Sequence, residues 1–212
     1  MRKIKTITVS HAYKPQFEHL VDLREQRGWR AVSPVIKHGE CYCVDMAIEQ
    51  RPVIYIGISG VLYPNGDDAQ LAAIDAYKAG KFTDIQFIPS AVQNLIALLD
   101  STEAKLKVHS MWRNRLYGET QQMAQLFLNN GFQPHHLHSK FFVPFKGRDG
   151  IKELDISFSV SDDSWVYIVV DKHHLDLNPE FVSYTVQNLN EGLTSMDIEA
   201  IYRLIEKEEP VI

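Results

Sequence analysis

Residues 53–58 read Val-Ile-Tyr-Ile-Gly-Ile, apolar at every position except Gly57, and then break into Ser59-Gly60. A strand that is apolar on both faces belongs inside a parallel sheet covered by helices. Upstream the pattern differs. Residues 4–9 alternate and are rich in β-branched side chains, which predicts a strand. Pro15 opens a helical stretch with Phe17, Leu20, Val21 and Leu23 on one side, closed at Gly28. Residues 29–36 and 41–48 predict two more strands.

Beyond Pro52, strands and helices alternate. The spacing predicts helices over 68–79, over 90–99 (Val92, Leu95, Ile96 and Leu99 on one face) and over 119–130 (Met123, Leu126 and Phe127 inward), the last stopped by Gly131. Strands are predicted over 105–109 and 165–170, the latter ending at Asp171. A final helix carries Ile198, Ile201, Leu204 and Ile205, with Thr194 as its cap and Asp197 in its first turn. This order predicts an α/β fold: a Rossmann-like parallel sheet flanked by helices over residues 51–212, and a small strand–helix–strand extension over 1–50. Ligands of such sheets sit beyond the carboxyl ends of the strands. Three strand ends are therefore candidates: 57–60, 109–113 and 171–174.

Composition narrows the function classes. The chain has 212 residues, 45% apolar and 23% charged, which is ordinary for one substantial core. No apolar run is long enough to span a membrane, and none follows the basic N-terminus as a secretory signal requires, so a cytoplasmic protein is expected. The net charge of −5 disfavours a nucleic-acid partner. Arg113 with Arg115, and Lys140 with Lys146 and Arg148, read as solvated surface charges. The same holds for the turn at Asp162 and Asp163, while Asp67 and Asp68 read as the start of a helix. The two cysteines, Cys41 and Cys43, form a His-x-x-Cys-x-Cys string with His38. Their place on an alternating strand favours packing over zinc.

The three strand ends resemble motifs of the haloacid-dehalogenase-like (HAD-like) superfamily, in particular its small domains associated with bacterial and phage RNA-repair proteins. There the first strand ends Asp-x-Asp-Gly-Val-Leu-Asn-Pro; here Gly57-Ile58-Ser59-Gly60-Val61-Leu62-Tyr63-Pro64 stands in its place. The string Lys105-Leu106-Lys107-Val108-His109-Ser110-Met111-Trp112 resembles the second motif and puts Ser110 at its phosphate-binding hydroxyl. Val169-Val170-Asp171-Lys172 resembles a strand that ends in paired aspartates. Gly192-Leu193-Thr194 resembles the start of the last helix. A lysine precedes the metal motif in that family; Lys146 is the first candidate and Lys152 the second.

The resemblance implies a phosphotransfer fold from which the working acids are missing. The nucleophile position is Gly57 and the acid/base position is Ser59, so neither attack on phosphorus nor proton donation is available by that route. Lys172 replaces an acid that would hold Mg²⁺, so Mg²⁺ is not expected and no cofactor is favoured. The expectation is a catalytically degenerate module that binds a small phosphorylated ligand or a protein partner in a regulatory or accessory role. Ser59, Gly60, Ser110, Lys146, Asp171 and Lys172 are the candidate anion-binding residues. The alternative is a metal-dependent phosphoesterase built from His136, His138 and Asp171. It draws on the nine histidines, five of which fall in 135–138 and 173–174. His109 and Ser110 are adjacent on a strand, so their side chains are expected to diverge.

Overall fold

A computed structural model describes residues 2–115, 120–144 and 152–208. The chain divides into two compact units. One holds Arg2–Arg51 and Ser161–Trp165; the other holds Pro52–Val160 and Val166–Ile212.

The first unit is an antiparallel sheet with one helix. Strand β1 (Lys3–His11) and the first part of β4 (Cys41–Ile56) pair along nine residues, with Ile7 opposite Met46. Helix α1 (Lys14–Glu25) starts on Pro15 and packs Phe17, with Leu20 and Val21, onto Val9, Val44 and Met46. The strand expected over 29–36 is broken in two: β2 (Arg30–Ala31) and β3 (Ile36–His38). Ser33-Pro34 interrupts it, because proline has no N–H for the ladder. Leu23, expected inward, is exposed. Asp162 is no solvated turn: it accepts from Trp29 Nε1 at 2.9 Å and from Arg24 at 3.4 Å within this unit.

The strands expected over 41–48 and 53–58 form one strand, β4, which runs through Pro52. Its last residues, 53–56, are fully buried and open the second unit. There the sheet order is β6 (Leu137–Phe142), β5 (Lys105–Val108), β4, β7 (Ser164–Asp171), β8 (Phe181–Thr185). β4 with β5, β5 with β6 and β7 with β8 are parallel pairs, and Gly57 N–H donates to Val170 O at the β4–β7 seam. The expected parallel α/β architecture is present. Its helices are α2 (Asp67–Lys78), α3 (Pro89–Thr102), α4 (Thr120–Asn129), the short α5 (Lys152–Ser157) and α6 (Ser195–Lys207).

Each helix has a local cause. α3 begins on Pro89 and buries Val92, Leu95 and Leu99. α6 begins with a reciprocal capping box: Thr194 Oγ1 accepts from Asp197 N–H, and Asp197 accepts from Thr194 N–H at 2.8 Å. Asp67 and Asp68 occupy the first turn of α2, where the helix dipole favours them. One sheet face is filled by Val53, Tyr55, Tyr167, Val169, Ile156 and Phe181. Among the described residues, no helix is long and apolar enough to cross a membrane.

Candidate functional site

After Ile56 the chain turns sharply. Val61, Leu62 and Tyr63 all donate their N–H groups to Ile58 O, and Gly60 takes φ +76°, which a side chain would resist. This turn, the segment after β5 and the end of β7 surround a cavity of about 220 Å³. Its walls include Gly57, Ser59, Ser110, Trp112, Lys152, Asp171 and Lys172. The volume falls below the roughly 300–1,000 Å³ of ordinary small-molecule pockets, which sets the scale at a small group.

Trp112 organises one wall. Its indole Nε1–H donates to Ser59 Oγ at 3.1 Å, and its backbone N–H donates to Ser110 Oγ at 3.3 Å. Each hydroxyl oxygen thus already accepts a hydrogen bond and keeps its own proton to donate. Tyr63 meets the Trp112 ring edge-on at 5.1 Å between centroids. Trp112 lines the cavity, and Tyr63 packs against its ring.

Asp171 organises the other wall. Its Oδ2 accepts from Lys152 Nζ at 2.6 Å, and its Oδ1 accepts from His173 N–H at 3.1 Å. Burial alone would raise its carboxyl, but nearby His109 and Lys152 and the two hydrogen bonds outweigh this and hold it below the ordinary carboxylate range. His109 is fully buried. Its Nε2–H donates to Val170 O at 3.2 Å, while its Nδ1 lies 3.6 Å from Asp171 Oδ2 without a hydrogen bond. Burial pushes the imidazole down to about 4, against the pull of Asp171 and helped by the charges of Lys152 and Arg113. His109 is therefore neutral at pH 7, and Lys152 is the working counter-ion of Asp171 there. Lys172 Nζ donates to Asn65 Oδ1 at 2.8 Å.

Gly57 explains why this arrangement fits. A Cβ at position 57 would lie 3.1 Å from Asp171 Oδ2 and 3.4 Å from Val61 Cγ2. The space that a side chain there would need is taken by Asp171. The residues present do not fit Mg²⁺, which asks for several oxygen ligands in near-octahedral order. Position 57 offers no ligand, position 172 offers a cation, and the Asp171 carboxylate is already bound to Lys152.

The sequence-predicted residues are thus partly assembled. Gly57, Ser59, Ser110, Asp171 and Lys172 line one cavity. Gly60 does not line it, and its N–H is spent on Tyr63 O at 2.7 Å, so it is corrected to a turn residue. Lys146 lies outside the described residues. Lys152, the second candidate, lines the cavity from α5. His109 and Ser110 lie just past the end of β5, and they part: Ser110 lines the cavity while His109 is buried against Val170 O.

Arg113 is not a solvated charge. It is completely buried, paired with buried Asp155, and donates to Val143 O at 3.2 Å. The residue that holds it is 42 positions away, a partnership that no local signal shows.

His136, His138 and Asp171 are not brought together. His136 precedes β6 and Asp171 ends β7, with β5 and β4 between them. Three strand spacings alone amount to about 14 Å. His136 Nε2 instead bonds Asp100 Oδ1 at 2.9 Å, and its Nδ1 accepts from Gln133 N–H at 3.0 Å. His138 Nδ1 accepts from Lys140 N–H at 2.8 Å. Among the described residues, only Asp100, His135 and His136 cluster as metal ligands do. With Nδ1 accepting from Gln133 N–H, Nε2 is the ring nitrogen that donates to Asp100. His38, Cys41 and Cys43 form no such cluster, and both cysteines are half-buried free thiols.

Comparisons with protein-family models, with curated proteins and with solved structures give no match.

Proposed function

We propose that the chain binds a small oxyanion, inorganic phosphate or a phosphorylated group, without a metal and without turning it over. In this reading it is a catalytically degenerate relative of the HAD-like proteins, used as a ligand-binding regulatory or accessory module. One observation carries the proposal: Trp112 spends both of its N–H groups on Ser59 and Ser110, so two hydroxyl protons remain for an acceptor in the same cavity. Lys152 and Lys172 against Asp171 leave the walls one positive charge in excess, which suits an anion and opposes a divalent cation.

The lack of a nucleophile supports the second half of the reading. Gly57 cannot attack phosphorus, and Ser59 has no carboxyl proton to lend a leaving oxygen. The test pairs calorimetric titration of inorganic phosphate in chelator with a p-nitrophenyl phosphate assay in Mg²⁺. Expected are binding in chelator, no turnover, and at least tenfold weaker binding in the Ser59→Ala/Ser110→Ala double variant. Mg²⁺-dependent turnover, or phosphate affinity unchanged by the double variant, defeats the reading.

A further inference from the structure

The antiparallel sheet of the first unit has an open edge. β1 lies on one side of β4, and β2 and β3 lie on the other, so β1 is paired on one side only. Among the described residues, no backbone group of residues 4–10 bonds outside the β1–β4 ladder. Edges of this kind are commonly protected by shortness, a proline, a bulge or several charges. β1 has nine residues with no proline among them, and its register with β4 runs unbroken from Lys3 to His11. Lys5 is the one lysine, arginine or acid within residues 4–10.

The apolar core of this unit is incomplete on the same side. Val9, Phe17, Val44 and Met46 are buried, while Ile7 and Leu20 are only partly covered. Helix α1 shows which margin is open. Its Lys14, Glu18 and Asp22 line a groove with residues 35–37, next to β3. Helical spacing puts Leu20 and Leu23 on the other flank, the one towards β1. Leu23 is 37% exposed there. An unpaired strand edge, a half-covered isoleucine and two leucines of the helix above it thus share one margin, which gains by being covered.

The geometry points to a second copy of this chain as the occupant, joined edge to edge through β1 about a twofold axis at Ile7. The sequence of β1 fits itself in that register. Ile7 faces Ile7 of the second copy, Thr6 faces Thr8, Ile4 faces Ser10, and the stem of Lys5 lies against Val9. Both members of each pair stand on the same sheet face, as strand alternation requires. No like charges meet over residues 4–10. Parallel pairing in register would set Lys5 against Lys5, so this lysine selects the antiparallel arrangement. The two sheets become one, with both α1 helices on the same face and their Leu23 flanks turned towards each other. Ladder hydrogen bonds fix the register, and burial of Ile7, Leu20 and Leu23 drives association. Association of this kind needs no anion, so its test stands apart from the phosphate titration.

Sedimentation equilibrium of the full chain over a wide range of concentration provides that test. A reversible monomer–dimer equilibrium is expected, with twice the chain mass of 24.3 kDa as its upper limit. Thr6 and Thr8 are exposed, so charges placed there leave the fold intact. Thr6→Lys/Thr8→Lys sets like charges against each other twice across the twofold, and is expected to weaken the dimer at least tenfold. Thr6→Glu/Thr8→Lys sets opposite charges there and keeps a cation beside Asp45, the present partner of Thr8. It is expected to dimerise at least as tightly as the parent, with the far-ultraviolet spectra of all three proteins coinciding. A single-chain mass at every concentration, which an edge reserved for a foreign strand would give, overturns the inference. So does a mass that climbs beyond two chains, a Thr6→Lys/Thr8→Lys variant that dimerises like the parent, or a Thr6→Glu/Thr8→Lys variant that stays single.

Discussion

Lys152 Nζ sits 2.6 Å from Asp171 Oδ2, and the same oxygen lies 3.1 Å from the point where a Cβ on Gly57 would stand. A lysine, an aspartate and a missing side chain thus share one small volume. The ion pair depends on position 57 staying a glycine.

Gly57→Ala is therefore expected to be costly for its size. The new methyl group meets Asp171 and Val61 closer than ordinary contact, so the Lys152 pair must shift by a few tenths of an ångström. A stability loss of about 1–3 kcal/mol is expected from such overpacking, with a larger fall in phosphate affinity. Gly57→Asp is expected to destabilise more, because a second buried carboxylate faces Asp171. Urea unfolding of the three proteins measures both effects. A Gly57→Asp chain as stable as the parent contradicts the tight fit.

His109 predicts the pH dependence. Its folded pKa, about 4, lies below the unfolded value of 6.5. Above pH 6.5 both states are neutral there, and the full stability is present. As pH falls from 6.5 towards 4, the unfolded chain takes a proton that the folded chain refuses, and stability is lost. The shift corresponds to a loss on the order of 3 kcal/mol at most. Asp171, Lys152 and Arg113 face this ring, and the depressed Asp171 adds a loss at still lower pH. Unfolding free energies at pH 7 and pH 4.5 are expected to differ less in His109→Gln than in the parent. Equal differences would show that the ring titrates normally.

The buried Arg113–Asp155 pair gives a third prediction. Removing one partner strands a charge in the core, so Asp155→Ala is expected to cost about 3–5 kcal/mol. The double variant Arg113→Met/Asp155→Leu leaves no charge and is expected to recover most of that loss. Thermal and urea unfolding of single and double variants decide it; a double variant that is less stable than Asp155→Ala refutes the account.

Much of the parallel sheet was legible in the chain. The apolar run into Gly57, the run into Asp171 and the periodic faces of α3, α4 and α6 carry strong signals because both burial and spacing mark them. β6 carried none: Leu-His-Ser-Lys-Phe-Phe is half polar, since a bulge in its pairing with β5 turns its middle outward. The six residues of α5 are too few to show a period, and with them went any sign that Lys152 would meet Asp171. The break between β2 and β3 had a signal in Pro34, but the strand expected over 29–36 ran through it. The buried charges at Lys107, Arg113 and Asp155 were illegible, because their partners lie far along the chain. The Trp112 bridge was illegible for the same reason, since Ser59 is 53 residues away.

The most direct measurement is phosphate titration of the parent and of Lys172→Asp, each with chelator and each with Mg²⁺. The account predicts saturable binding by the parent that is indifferent to Mg²⁺, and binding by Lys172→Asp that is at least tenfold weaker in chelator. Phosphate binding by the parent that appears only with Mg²⁺, or none under either condition, would contradict it.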